Sequence, residues 1–484
     1  MQVTPQTRLA LDPQICLRND VDRAVLITRP KPLSDRNYLF RVLHPSEAVV
    51  LALMDGERSI EDLGNLWASL TGKSPAEGAA QVGKVVEYYT TGDRVTNGIL
   101  IEVDAANRQT LNRYDPMDFV IPASRVNVTD PRMRRPYLVY YLPTLFCPQK
   151  CIYCYAHTSP RPEAGLIPLA RLREIFAELK ELGVEVVQMS GGEVFARKDV
   201  FAIIEAVFAA GMVVDLPTKQ GVSYEQAVRL KELGVPIVQV SLDSTDPGVL
   251  ERMVGVKGFH LKIFKVLDDL RRAGMPVRVN AVITPINAPT VGPLIDYLGG
   301  LGNVTRVSLT PYGRSLFCHS DELFISLDEL RSVEREIWSR QRLYPHMTTS
   351  ISGGGGSSLP ASPDERMREW QGRAFCSANR HGFVILPDGR VTVCEELYDH
   401  PDFIIGDLRK QSVLEMWTSP EALALLRPDQ AAVPEGACKN CEAFEECNSF
   451  KGRCWRDVLK SYGWDKPYYP DPRCPWAPEG NRMT

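Results

Sequence analysis

The sequence predicts an α/β protein: an open, partial (β/α)6 barrel, preceded by a winged-helix-like α+β domain and followed by a cysteine-rich domain. Three observations predict it. Strand and helix patterns alternate every 25–30 residues or so through the middle of the chain, which dictates right-handed βαβ units and a parallel sheet. Strand and helix patterns of another order crowd into the first hundred residues or so. The twelve cysteines are unevenly spread: three stand at 147–154, seven from Cys376 to Cys474, and only Cys16 and Cys318 lie apart. At 484 residues the chain exceeds one ordinary core, so several domains are expected.

In residues 1–105, "AVLITRP" and "NYLFRVL" carry the β-branched and aromatic residues of strands. "PSEAVVLALMDG" reads as a helix ending at Gly56. In "RSIEDLGNLWASLTG" the Ser59-x-x-Asp62 pattern caps a second helix and Gly72 stops it. A third helix runs from Pro75 to Tyr89. Two strands and three helices outline a winged helix, which usually suggests DNA. Yet this segment has no excess of Lys and Arg over Asp and Glu, and the chain carries a net charge of −4. Nothing there neutralises phosphates, so no nucleic-acid partner is expected. Residues 106–135 read as a linker.

The barrel occupies residues 136–345. Its strands are "YLVYYLPT", "VEVVQMS", "MVVDLPT", "PIVQVSLD", "PVRVNAVIT" and "VTRVSLTPYG". Between them lie the helices "PLARLREIFAELKELG", "DVFAIIEAVFAAG", "SYEQAVRLKELG", "HLKIFKVLDDLRRAG" and "PTVGPLIDYLGG". In such barrels the loops after the strands' C-terminal ends carry the chemistry. Cys147-x3-Cys151-x2-Cys154 follows strand 1 and "SGGEVF" (190–195) follows strand 2, so both face one mouth. After a helix near 326–341, "SGGGGSSLPASP" reads as a flexible connector within a linker at 346–372. Residues 373–484 are turn-rich and cysteine-dense, a composition hard to stabilise without metal.

No apolar run approaches the roughly 20 residues that span a bilayer. The opening "MQVTPQTRLALDPQIC" lacks the basic and apolar regions of a signal peptide. A cytoplasmic location with no membrane partner is expected, where cysteines serve metals or catalysis rather than disulfides. Three thiolates on one loop can hold three irons of a cubane iron–sulfur cluster and leave the fourth open. A zinc site completed by His157, or three ordinary buried thiols, are the alternatives.

The spacing Cys147-x3-Cys151-x-Tyr153-Cys154 resembles the signature of the radical S-adenosylmethionine (SAM) superfamily. The resemblance implies a 4Fe–4S cluster on Cys147, Cys151 and Cys154, with SAM chelated at the open iron and Tyr153 against its adenine. Gly191, Gly192 and Glu193 match the Gly-Gly-Glu that holds the methionine amino group; glycines permit close approach and the carboxylate pairs with an ammonium. "SLDS" resembles the stretch that reaches the cofactor, making Ser241 a candidate and Asp243 a weaker one. Asn280 and "PYGR" (311–314) also resemble the pattern. Two positions depart from it: Lys219 stands where Asn is common, and Leu250-Glu251 replaces His-Asp, so neither receives a role.

The C-terminal cysteines resemble a SPASM domain, which carries two auxiliary 4Fe–4S clusters and brings the implied total to three. The resemblance assigns Cys438, Cys441, Cys447 and Cys474 to one cluster. It assigns Cys376, Cys394 and Cys454 to the other, whose fourth ligand it does not name; Cys447-x6-Cys454 is longer than the usual spacing. Two zinc ribbons are the alternative. Glu395, directly after Cys394, is a candidate base for the proton that leaves the substrate.

The first domain resembles a RiPP recognition element (PqqD-like), in which a precursor's leader peptide adds a strand to a sheet edge. Taken over the whole chain, the resemblance implies a maturase of ribosomally made peptides. Cleavage of SAM would give a 5′-deoxyadenosyl radical, and the substrate radical would close a C–S (thioether) or C–C crosslink. The auxiliary clusters would accept an electron, and a donor such as flavodoxin or ferredoxin would supply the reductant. Two other readings are a sulfatase-maturase-like oxidation of a protein Cys or Ser, and an iron–sulfur transcriptional sensor.

Overall fold

The computed structural model describes residues 3–91, 98–104, 110–351, 362–373, 375–433, 436–449 and 452–478. The connector "SGGGGSSLPASP" lies outside them up to its last two residues. The chain divides into two compact units, Met1–Arg134 and Arg135–Thr484.

The first unit runs β1 (Arg8–Leu11), β2 (Ile15–Asn19), β3 (Ala24–Thr28), β4 (Phe40–Leu43), α1 (Pro45–Leu53), β5 (Asp55–Ser59), α2 (Ile60–Thr71), α3 (Pro75–Thr91) and β6 (Leu100–Glu102). Its strands form two antiparallel sheets in the orders β5-β1-β6 and β2-β3-β4. All three expected helices are present, and Ser59 and Asp62 form the capping box, with Asp62 N donating to Ser59 Oγ at 3.1 Å. The strand content differs from the expectation, because β1, β2, β5 and β6 join β3 and β4. "DGERS" is strand β5 rather than a helix end, and α1 stops at Leu53. These are segments of three to five residues, several of them polar. Their strand character comes from partners distant in sequence, such as β1 lying between β5 and β6.

Residues 110–134 are laid against this unit. Tyr114 Oη accepts from Leu17 N at 3.2 Å and donates to the Ile15 carbonyl at 3.3 Å. The fully buried Arg23 pairs with Asp20 at 3.2 Å and donates to the carbonyls of Asp130 and Arg132.

In the second unit six parallel strands follow the expected order: β7 (Leu138–Tyr141), β8 (Val186–Met189), β9 (Val213–Thr218), β10 (Val238–Ser241), β11 (Val277–Ile283) and β12 (Val304–Pro311). Helices α4 (Leu169–Glu181), α5 (Val200–Ala209), α6 (Tyr224–Glu232), α7 (Pro247–Val254), α8 (Phe259–Arg272) and α9 (Val291–Leu301) connect them. The strands are near-continuously apolar because both faces of a parallel sheet are covered, and they form the centre of the main core.

The sheet extends past the barrel at both ends. After α10 (Leu327–Gln341), β13 (Thr348–Ile351) adds in parallel to β12. At the other end β14 (Gly382–Ile385) pairs in parallel with β7 and leads to β15 (Arg390–Thr392) and β16 (Ile404–Asp407), giving ten strands in all. A side chain at Gly382 would collide with the Leu138 carbonyl, so the close pairing with β7 requires glycine there. No helix among the described residues is long and apolar enough to cross a membrane.

Candidate active site and cysteine cavities

The loop after β7 carries Cys147, Cys151 and Cys154, and its backbone is held from three directions. Cys147 N donates to the Ser159 carbonyl at 3.1 Å, closing the loop on itself. Lys150 N and Ile152 N donate, each at 3.0 Å, to the Val254 and Met253 carbonyls at the C-terminal end of α7. From the next strand, Gly192 N and Glu193 N donate to the Thr144 and Phe146 carbonyls, each at 2.8 Å. A Cβ on Gly191 would lie 2.6 Å from the Thr144 carbonyl oxygen, and one on Gly192 would lie 2.6 Å from the Leu145 carbonyl carbon. Both glycines are therefore required for contact with the cysteine loop itself.

The mouth of the barrel is a cavity of about 470 Å³. It is lined by Cys147, Cys151, Cys154, Tyr153, Gly191, Gly192, Glu193, Ser241, Asp243 and Asn280, and Glu395 of the cysteine-rich segment reaches it too. The buried Glu193 carboxylate accepts from Thr218 Oγ1 at 2.8 Å, Lys219 N at 2.9 Å and Phe195 N at 3.2 Å. Burial raises its pKa against these donors. Tyr153 Oη donates to Asp243, and the Lys219 ammonium pairs with the same carboxylate at 2.7 Å. Asp243 is thus occupied by neighbours in this cavity. "PYGR" is not part of the lining; Tyr312 N bonds to the Ile283 carbonyl at 2.8 Å. His157 does not line the cavity either, since its Nδ1 lies 2.6 Å from Asp399 and its ring stacks on Phe317.

Two further cavities gather the C-terminal cysteines. Cys376, Cys394 and Cys454 line one of about 320 Å³, together with Arg456, Asp457 and Arg473. Cys438, Cys441, Cys447 and Cys474 surround one of about 30 Å³, walled by Trp370, Phe444 and Trp476. Gln430 braces this last loop by donating to the Cys438 and Cys441 carbonyls at 3.1 and 2.9 Å. Tyr140 and Glu395 line both the barrel cavity and the Cys376–Cys394–Cys454 cavity. Ser190 Oγ at 2.7 Å and Tyr155 Oη at 3.1 Å donate to one oxygen of the Glu395 carboxylate. Burial raises the pKa of that carboxylate.

The cysteine chemistry fits clusters. Burial pushes the thiols of Cys147, Cys394 and Cys474 up to about 12, and raises those of Cys151, Cys154, Cys376 and Cys454. Such sulfurs become thiolates only with a strong positive charge against them, which a metal supplies. Among the described residues no three His, Cys, Asp or Glu are gathered tightly enough for a single metal ion. A tetrahedral zinc site brings its sulfurs to one centre at about 2.3 Å, whereas a cubane takes each thiolate on a different iron.

The sequence alone does not reveal the anchoring end of α7, the wall of Tyr140 and Glu395 shared by two cavities, the hydrogen bonds of Ser190 and Tyr155 to Glu395, or the Lys219–Asp243–Tyr153 group. In the sequence Lys219 stands out only as a departure from the resembled pattern. The other residues carry no local signal, because their neighbours come from other strands.

Residues 141–298 match the family model of the Radical SAM superfamily, and residues 376–442 match that of an iron-sulfur cluster-binding domain, SPASM. The chain is an enzyme with the radical SAM fold. The chain is similar to curated proteins over most of their length. One is PqqA peptide cyclase of Methylocella silvestris, 24% identical over 311 residues that cover 61% of this chain and 77% of that protein. Another is mycofactocin maturase MftC of Mycobacterium tuberculosis, 25% identical over 336 residues that cover 68% and 81%. Among solved structures, SuiB of Streptococcus suis bound to S-adenosylmethionine superposes with a TM-score of 0.62 at 17% identity, covering 96% of this chain and 99% of that one. SuiB bound to precursor peptide SuiA gives a TM-score of 0.58 at 15% identity, covering 95% and 98%. At such identities the structural likeness is one of fold.

Proposed function

We propose that this radical SAM enzyme matures a ribosomally made precursor peptide in the cytoplasm, closing a C–S or C–C crosslink. The observation that carries this reading is the wall shared by the barrel cavity and the Cys376–Cys394–Cys454 cavity. A crosslink between two unactivated groups removes two hydrogens, so a peptide reacting at the mouth needs an electron acceptor and a proton acceptor beside it. The likeness to SuiB, which spans nearly all of both chains, and to relatives named for peptide substrates supports a peptide as the molecule modified.

Cys147, Cys151 and Cys154 would hold a 4Fe–4S cluster at three of its corners. Cys376, Cys394 and Cys454 would hold a second cluster, and Cys438, Cys441, Cys447 and Cys474 a third. With SAM bound, such a site supplies an abstractor of hydrogen atoms from unreactive carbon. Tyr153, Glu193 and Ser241 would orient SAM from the walls of the cavity. Glu395 receives the substrate's proton at Oε1, because both of its hydrogen bonds from Ser190 and Tyr155 fall on Oε2. Its burial favours proton uptake.

The first unit binds the leader of the precursor. In the sheet β2-β3-β4, Tyr114 occupies the outer backbone groups of Leu17 and Ile15 on β2. The other edge is β4, which pairs only with β3 among the described residues. Beside it Arg41 stacks 4.1 Å above the half-exposed ring of Tyr88 on α3. An extended peptide adds to such an edge through main-chain hydrogen bonds, and side-chain pockets select it.

The test is to sequence the neighbourhood of its gene for a short reading frame with cysteines or aromatics and to incubate the encoded peptide with anaerobically reconstituted enzyme, SAM and dithionite. The expected product has lost two hydrogen atoms and carries a bond that tandem mass spectrometry places within the core peptide, with 5′-deoxyadenosine formed alongside. Unchanged peptide in a reaction that forms 5′-deoxyadenosine would overturn the peptide assignment.

A further inference from the structure

Lys219 has no task in the function proposed above, yet it is the one lysine, arginine or histidine among the described residues that line the barrel cavity. Its side chain is 12% exposed, and its ammonium lies 2.7 Å from Asp243, which is 1% exposed. The same ammonium reaches the Tyr153 hydroxyl and sits 4.8 Å from the centre of the Tyr153 ring. Tyr153 stands between Cys151 and Cys154, so the charge is held against the cysteine loop. The other Asp243 oxygen accepts from Val282 N at 3.0 Å, which fixes the carboxylate to the strand beside it. A buried ion pair of this kind seldom adds net stability over apolar packing, so its presence at the barrel mouth calls for another reason.

The asymmetry of the pair supplies one. The ammonium lies over the ring of Tyr153, the residue just before Cys154 and two after Cys151, whereas the carboxylate is tied through its second oxygen to Val282 N on the neighbouring strand. The positive end of the pair therefore lies against the cysteine loop. An iron–sulfur cluster becomes more negative by one charge on reduction, and nearby fixed charges are among the levers that set its potential. A cation in a site of reduced dielectric favours the added electron, and an anion opposes it.

We propose that the Lys219–Asp243 pair sets the reduction potential of the cluster on Cys147, Cys151 and Cys154, with the ammonium easing one-electron reduction by a low-potential donor and the carboxylate restraining it. Lys219 and Asp243 are thus positioning residues for charge. This inference rests on the reading that those three cysteines hold the cluster.

The test is a potentiometric titration, followed by electron paramagnetic resonance, of the full-length reconstituted protein. It tracks the reduced-cluster signal that changes when SAM is added. K219M is expected to move that midpoint to more negative potential. The reduced-to-oxidised ratio at a fixed poise should fall about tenfold, which for one electron is ~59 mV. K219R should stay near wild type, and D243N should move the midpoint the opposite way, while signals indifferent to SAM keep their midpoints. Unshifted midpoints in K219M and D243N at full iron content would overturn the proposal, as would K219R behaving like K219M. Should K219M fail to retain iron, D243N decides alone: a positive shift supports the proposal and no shift overturns it. If C151A neither lowers the iron content nor removes the SAM-responsive signal, the cluster reading itself is overturned.

Discussion

Gly192 shows how far single residues constrain the site. Any side chain there would press on the backbone between Leu145 and Phe146, at the root of the cysteine loop. G192V is therefore expected to leave the two C-terminal cysteine cavities intact and to lose cluster binding on the loop. An iron assay should read the loss of one cluster's share, and SAM-dependent 5′-deoxyadenosine formation should fall to background. Glu395 calls for a different experiment. E395Q keeps the shape and the hydrogen bonds from Ser190 and Tyr155 but cannot accept a proton. Peptide crosslinking should drop about 10²–10⁴-fold, the usual worth of a positioned base. 5′-Deoxyadenosine formation should continue, so that the two products become uncoupled. Undiminished crosslinking would remove Glu395 from the reaction. At this scale the sequence is most legible where chemistry is contiguous, as in Cys147–Cys154 and Gly191–Glu193. It is opaque where two residues meet through the sheet. Lys219 follows β9 and Asp243 follows β10, and no spacing rule joins them. Glu395 was visible as a candidate because it adjoins Cys394, but its partners Ser190 and Tyr155 were not.

Among the elements, α7 is the instructive case. Its sequence "PGVLERMV" is short and carries a weaker helical signal than the longer α8, yet its final carbonyls hold Lys150 N and Ile152 N. The helix stops at Gly255, whose φ of 71° belongs to the left-handed region, and a Cβ there would stand 2.8 Å from the Lys150 carbonyl oxygen. A β-branched residue at this position combines backbone strain with collision. G255V is expected to cost about 1–3 kcal/mol of stability, read as a lower midpoint in chemical denaturation. Cluster incorporation should fall with it, because the strained residue pushes directly on the loop between Cys147 and Cys151. The six barrel strands, by contrast, are legible in the sequence, since apolar runs of a parallel sheet separated by amphipathic helices leave few alternatives. Strands β1, β2, β5 and β6 are not legible there for the converse reason. Each is short, and its pairing is decided by a partner that sequence proximity does not indicate.

At the scale of the whole molecule, the cysteine-rich segment and the barrel share one sheet. β14 pairs with β7 over Gly382–Ile385 and Leu138–Tyr141, and that pairing brings Glu395 to the barrel mouth while Cys394 lines the adjoining cavity. Sequence periodicity marks β7 as a buried strand but is silent on which later segment completes its second edge. The front unit poses a separable question, because Met1–Arg134 is compact in its own right. If it serves to capture a leader, then its removal should act on encounter and not on chemistry. A chain of residues 135–484 is expected to keep the iron–sulfur content of the full-length protein and to form 5′-deoxyadenosine without peptide at the wild-type rate. With the full precursor its KM should rise by about 10²-fold or more, the effective-concentration gain that a tethered second contact provides. At saturating peptide kcat should be nearly unchanged. Adding the leader as a separate peptide should inhibit the full-length enzyme competitively and leave the truncated one untouched. Equal KM values for the two chains would mean that the edge of β4 is not where the precursor is recognised.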